Sequence, residues 1–171
     1  DEYEGPYQYI SHHPVLKSSV STPVRMVTNS SFNNRGNSLN SCLAKGPNSL
    51  TPMLDVLLRC RCREVVMQYD LSKAYNTMRT GLRERHLRRF VWKFNEEEDW
   101  QDYAFDAVHF GDCCAATQLE VAKDLTADAG WDIDPEAAQR IKDDTYVDDG
   151  ITGGTPAQVS RFIGKQREDG S

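Results

Sequence analysis

At 171 residues and 39% hydrophobic content, the chain has room for one domain, or for two small lobes sharing a modest core. No apolar run approaches the roughly 18 residues of a membrane-spanning helix, and the polar, acidic start Asp1-Glu2-Tyr3-Glu4-Gly5 does not read as a signal peptide. The net charge of −6 weighs against a uniformly basic nucleic-acid binder, but its distribution is uneven. Residues 1–93 carry 14 Lys/Arg against 7 Asp/Glu, a net of +7, and residues 94–171 carry 6 against 19, a net of −13. Such a split suits one face that meets phosphates and another that holds metals; solvated faces of ordinary elements are the plainer alternative.

Residues 12–17 and 23–28 read as short strands, the second with Val24, Met26 and Thr28 on one side. Residues 30–41, rich in Asn, Ser and Gly, read as a loop. A helix follows, with Thr51 as N-cap, Pro52 at its first position, Asp55 in its first turn, and Leu50, Leu54, Leu57 and Leu58 as an inward stripe. Residues 64–69 form a strand that delivers Asp70, and 71–78 turn into a short helix. Further strands are expected over 88–94 and 103–110, separated by the acidic turn 96–99. Residues 115–129 read as a helix with Leu119, Ala122 and Leu125 inward, and Pro135 opens another helix. Residues 145–147 are a strand carrying an acidic pair, 151–152 begin its return, and 156–162 form a last helix. The order from residue 64 is β, α, β, β, α and a hairpin. It predicts an α+β fold: a split β-α-β arrangement with an antiparallel sheet backed by helices on one face.

The chemistry concentrates in Tyr146-Val147-Asp148-Asp149-Gly150, with Asp70 a further 78 residues upstream. Carboxylates about 4 Å apart repel by roughly 4 kcal/mol at an effective dielectric near 20, so a fold that gathers them expects a cation between them. Mg²⁺ prefers such hard oxygen ligands, and two ions about 4 Å apart can activate one oxygen and stabilise another as it leaves. The plain alternative is that Asp149-Gly150 is simply a hairpin turn. The five cysteines, Cys42, Cys60, Cys62, Cys113 and Cys114, have no zinc-site spacing and suit a reducing compartment. His86 and His109 fit no ligand pattern with them and read as surface or strand-edge residues.

Several segments in order resemble one family. They are His12-His13-Pro14-Val15-Leu16-Lys17, Ser21-Thr22-Pro23-Val24-Arg25-Met26-Val27, residues 39–47, Tyr69-Asp70-Leu71-Ser72-Lys73-Ala74-Tyr75, Arg89-Phe90-Val91-Trp92, Phe110-Gly111, and Tyr146-Val147-Asp148-Asp149. Together they resemble the fingers and palm of a reverse transcriptase, and more narrowly those of BEL/Pao long-terminal-repeat retrotransposons. The resemblance implies fingers-like residues 1–62 and a reverse-transcriptase-like palm over 63–171, the two interleaving, with 95–130 returning partly to the fingers and the thumb absent. It implies RNA-directed DNA polymerase activity with two Mg²⁺ ions, or Mn²⁺ in their place. Asp70, Asp148 and Asp149 are then the catalytic metal ligands, joined by the Leu71 carbonyl. Lys17, Arg25, Tyr75, Phe110 and Gly111 would meet the incoming deoxynucleotide, with Tyr75 as a steric gate against the 2′-OH. A core aromatic beside the sheet is the alternative for Tyr75. Arg79, Arg83, Arg88, Arg89 and Tyr146 would contact an RNA or DNA template-primer.

The implied setting is an intracellular virus-like particle with a nuclear phase, and no membrane. A longer polyprotein would supply thumb, ribonuclease H and integrase in cis. Both chain ends read as cut from such a parent, so the isolated piece is expected to be poorly processive or inactive. The chain departs from the family at Asp112-Cys113-Cys114-Ala115, where many relatives carry Pro, and at 28–31, which lack a frequent Asp. Rival readings are a catalytically silent, transposon-derived nucleic-acid-binding fragment, and a nucleotide cyclase, whose Gly-Gly-Asp/Glu turn is missing.

Overall fold

The structure, a computed structural model, describes residues 3–18 and 23–168. Ser21 and Thr22 of the second fingers-like segment, and residues 1–2 and 169–171, lie outside the described residues. The fold is α+β, with small antiparallel sheets and helices. Two compact units are each assembled from two chain segments: Asp1–Gly46 with Tyr75–Ala115, and Pro47–Ala74 with Ala116–Ser171. Among the described residues no helix is long and apolar enough to cross a membrane.

In the first unit, β1 (Ser11–Leu16) pairs antiparallel with β2 (Val24–Asn29), and β4 (Arg89–Trp92) with β5 (Gln101–Ala104). The predicted loop contains a short helix, α1 (Leu39–Cys42), nucleated by a reciprocal capping box between Ser38 and Ser41. Only part of 88–94 is strand, because Glu84–Arg88 winds into a 3₁₀ helix first. The expected strand over 103–110 starts earlier and ends at Ala104. Beyond it the chain changes partner: Ala107 bridges Arg79, with the Thr80 N–H donating to the Asp106 carbonyl and the Val108 N–H to the Met78 carbonyl, while Phe105 stacks on Phe90 at 4.3 Å and meets the His109 ring edge-on at 3.9 Å. At the heart of the unit, Arg88 Nε donates to Asp112 at 2.8 Å and the Ser30 hydroxyl donates to the same carboxylate at 2.6 Å. All three residues are buried. Desolvated charges persist only when paired and hydrogen-bonded in this way.

The second unit holds α2 (Met53–Arg61), β3 (Val65–Asp70), most of α4 (Ala115–Ala129), α5 (Pro135–Asp144), β6 (Thr145–Tyr146), β7 (Asp149–Gly154) and α6 (Pro156–Glu168). A short helix, α3 (Ala74–Thr77), follows β3. Asp55 in the first turn of α2, and Arg59 and Arg61 in its last, complement the helix dipole. The sheet order is β3-β7-β6, all antiparallel. Along β3, Val65, Met67 and Tyr69 are half-buried while Val66, Gln68 and Asp70 are exposed. Helices α2, α5 and α6 pack against this sheet.

Three expectations about side chains differ from the structure. The α2 stripe is not the buried face: Val56 is 0% exposed, whereas Leu54 is 65% exposed and Leu57 and Leu58 are also exposed. Thr51 does not cap α2, whose N-cap is Pro52. The Thr51 hydroxyl instead lies 3.0 Å from Glu120 Oε1 and 3.1 Å from the Lys142 carbonyl. On α4, Leu119 is buried as expected, but Leu125 is exposed and Glu120 and Lys123 are buried in its stead. Lys123 Nζ reaches Glu120 at 2.7 Å and donates to the Lys142 and Thr145 carbonyls, which pairs the charge.

Replacing Val56 by Ala should therefore cost about 2 kcal/mol, and Leu54→Ala less than about 0.5 kcal/mol, in denaturant unfolding. In the first unit, burial holds the His109 imidazole below its ordinary value; the Asp112 carboxylate opposes this and Arg88 reinforces it. A lowered imidazole value means that the unfolded chain binds the proton first. Its contribution to stability is present above about pH 6.5 and is lost as pH falls through the lowered value. His109→Gln should flatten that loss in melting curves recorded from pH 7 down to about pH 5.

Candidate functional site

The second unit brings the two acidic segments together. In the β3–β7 register, Asp70 stands opposite Asp149. The Leu71 N–H donates to the Asp148 carbonyl at 2.9 Å. That bond flanks the Asp70–Asp149 pair and makes it a non-hydrogen-bonded pair, the kind whose Cα atoms sit about 4.5 Å apart with side chains close. Two carboxylates are thus directly opposed across neighbouring strands, an arrangement that destabilises a sheet by tenths of a kcal/mol to about 1 kcal/mol. Both side chains are exposed, so the cost falls short of the larger figure appropriate to screened-off charges.

The turn is not where Asp-Gly would put it. Tyr146 pairs with Asp149, leaving Val147 and Asp148 as a two-residue hairpin loop. Val147 has φ 57°, unusual for a β-branched residue, and Lys73, three residues after Asp70, has φ 55°. Gly150 lies buried inside β7 and has a different task. The Tyr69 ring lies against its Cα, where any methyl would overlap the ring. The Tyr69 hydroxyl is 2.6 Å from the Thr145 hydroxyl, so this side chain crosses β7 and ties β3 to β6. Burial raises the Tyr69 phenol above its ordinary value, with Asp144 adding to the rise and the Thr145 hydroxyl opposing it.

Beneath the hairpin, Asp144 is 1% exposed. It accepts from the Thr152 hydroxyl at 2.6 Å and faces Arg59 at 3.4 Å and Arg63 at 3.6 Å. Arg59 also donates to the Asp143 carbonyl. A carboxylate at the C-terminal end of α5 is unfavourable for the helix dipole, and the two guanidinium groups offset it. Asp144, Tyr69, Thr145, Glu120 and Lys123 were not among the expected site residues. For Asp144 the adjacent Asp143-Asp144 pair directly before the motif is a signal that could have found it; Glu120 and Lys123 carry none.

The donor set at the hairpin, carboxylates with the Leu71 carbonyl nearby in sequence, has the hard-oxygen chemistry of a divalent cation. Among the described residues, no group of three or more His, Cys, Asp or Glu side chains stands so that it could hold a metal ion. The three-carboxylate cluster expected of Asp70, Asp148 and Asp149 is therefore not formed as a ready-made site, and what the hairpin offers is a set of hard oxygen donors.

In the first unit, Lys17 and Arg25 are exposed, at the end of β1 and within β2. Tyr75 meets Phe110 edge-on at 5.5 Å, and Phe110 is otherwise exposed. Gly111 takes φ 110°, which only glycine adopts without strain, and its carbonyl accepts from Asn40. Arg79 pairs with Asp106 on the surface. Arg88 is a correction: it is 3% exposed and bound to Asp112, so its charge is spent internally and does not reach a nucleic-acid backbone. Arg89 donates to His86 and lies over the Tyr7 ring at 4.8 Å. Arg83 is exposed, and Tyr146, in the second unit, is half-buried in β6.

Gly150→Ala should displace the Tyr69 ring and lower the melting temperature by several degrees, whereas Tyr69→Phe should cost about 1 kcal/mol by leaving the buried Thr145 hydroxyl without its partner. Equal stability of Gly150→Ala and wild type in thermal melts would contradict the packing described. No protein-family model matches this chain, and no curated protein matches it.

Proposed function

We propose that the chain is the fingers and palm portion of an RNA-directed DNA polymerase, joining a deoxynucleotide to a primer 3′-OH, as the resemblance to BEL/Pao reverse transcriptases implies. One observation carries the reading: Asp70 opposes Asp149 across β3 and β7, with the Asp148 carbonyl accepting from Leu71, the residue just after β3. Two segments 78 residues apart spend stability to bring like charges together, and a cation between them would return it.

Asp70 and Asp148 would hold the metal, with Asp149 and the Leu71 carbonyl as further oxygens. When bound, paired Mg²⁺ ions lower the pKa of an attacking hydroxyl and neutralise a leaving pyrophosphate. The chain's own part is orientation. Tyr69, locked over Gly150 and bonded to Thr145, fixes the strand end that carries Asp70, and the buried Asp144 group fixes the start of the hairpin. The roles of Lys17, Arg25, Tyr75, Phe110 and Gly111 toward the deoxynucleotide, and of Arg79, Arg83, Arg89 and Tyr146 toward template-primer, belong to the same proposal, as does the palm topology itself.

The test uses Asp70→Asn in two conditions. In EDTA the variant should melt at or slightly above wild type, because a like-charge pair is removed, by up to about 1 kcal/mol. With millimolar Mg²⁺ or Mn²⁺, wild type should gain stability and both Asp70→Asn and Asp148→Asn should gain far less. In a polypeptide that also carries the thumb, primer extension on an RNA template should fall at least about a hundredfold in both variants. A wild type indifferent to both metals would leave the silent binding fragment as the better reading.

A further inference from the structure

Of the arginines between residues 79 and 89, three have side-chain partners within the first unit: Arg79 pairs with Asp106 on its surface, Arg88 with Asp112 in its interior, and Arg89 meets His86 and the Tyr7 ring. Arg83 and Arg85 form no ion pair among the described residues. Both line one open pocket of about 590 Å³, together with Tyr3, Glu4, Leu82 and His86. That volume is in the range of small-molecule sites. The Arg85 Nε is buried and has no hydrogen-bond partner among the described residues. A guanidinium on a pocket wall with no carboxylate paired to it has an anionic oxygen as its natural complement.

The remaining wall is flat and largely apolar. The Tyr3 ring stacks on His86 at 3.7 Å and 15°, and Leu82 is exposed beside them. His86 Nδ1 accepts from Arg89, at 2.9 Å from Nη2, which leaves the ring neutral with its proton on Nε2. Two guanidinium groups beside an aromatic and aliphatic wall suit a ligand that joins a phosphate to a planar ring.

We propose that this pocket binds a nucleoside phosphate, its phosphate on Arg83 and Arg85 and its base against Tyr3 and Leu82. Glu4 is the one carboxylate on the lining, and it opposes the ligand's charge. The site uses no residue of the Asp70–Asp148 hairpin but shares Arg83 with the template-primer contacts proposed above, and its test needs neither metal nor template, so its failure is distinguishable from failure of the polymerase reading. Either a free nucleotide or the 5′-phosphate end of a strand presents this chemistry.

The test is calorimetric titration of the whole chain in EDTA, where the carboxylate hairpin takes no metal. Adenosine 5′-monophosphate should bind, and adenosine should bind at least about tenfold more weakly. Arg85→Gln should weaken the monophosphate about tenfold, and Glu4→Gln should tighten it by about two- to threefold. Opposite signs from two substitutions on one lining cannot come from a loss of folding, and Glu4→Gln carries the test alone if Arg85→Gln does not fold. A 5′-phosphorylated dinucleotide that binds more tightly than the monophosphate assigns the ligand to strand ends; one that binds more weakly assigns it to free nucleotide. No binding of the monophosphate by wild type, equal affinity for adenosine, or indifference to Glu4→Gln would overturn the proposal.

Discussion

A slip of one residue between β3 and β7 would turn Asp70 toward the packed side of the sheet and Tyr69 toward solvent, because side chains alternate along a strand. Two contacts specific to the observed register oppose that slip. Tyr69 fits only over the residue that has no side chain, Gly150, and its hydroxyl finds a partner only at Thr145. Asp70 opposite Asp149 works in the other direction, since like charges facing each other favour separation. The packed side of the sheet therefore has to hold the register against its exposed end. This is how a strained, charged constellation persists: the surrounding structure determines it more strongly than its own groups do.

The interior beneath the hairpin is polar where a small α+β unit would ordinarily be aliphatic. Asp144, Thr145, Thr152, Glu120 and Lys123 are all buried. A buried ion pair adds little net stability over a well-packed apolar pair, but removing one partner costs about 3–5 kcal/mol. Such a network rewards a single arrangement and penalises its neighbours. Asp144 and Thr145 immediately precede the hairpin, so the arrangement they enforce is that of the strand leading to Asp148. Val147 at positive φ lies two residues beyond Thr145, and the hydrogen bonds of Asp144 and Thr145 anchor the strand entering that turn.

How much of this was legible in the sequence follows from what each residue type can signal. The acidic hairpin, the strand ending at Asp70 and the helices at 115–129 and from Pro135 are written in local pattern and capping chemistry. The burial of α2 was not, because Leu54, Leu57 and Leu58 outnumber Val56, and periodicity cannot say which stripe faces inward in a helix so short. Asp149-Gly150 carries a turn signal, yet the ring of Tyr69 needs that glycine in a strand; only the partner strand reveals it. Glu120 and Lys123 form an i,i+3 pair, and nothing local in the sequence distinguishes an exposed pair of this kind from one buried with two carbonyls.

Charge shows the same limit on a larger scale. A basic first half and an acidic second half suggested separate faces, but the chain uses the split to pair one half with the other. Arg79 takes Asp106 and Arg88 takes Asp112 in the first unit; Arg59 and Arg63 take Asp144 in the second. Each pair joins a residue before position 94 to one after it, so the opposite signs serve to close long loops rather than to paint a surface. What matters for binding is the remainder after this internal neutralisation. On the cationic side that remainder includes Arg83 and Arg85 on one pocket, and on the anionic side it includes Asp70, opposed by Asp149 on the strand that follows Asp148. Charges that a fold could have paired and did not are the ones to which an outside ion or ligand has access.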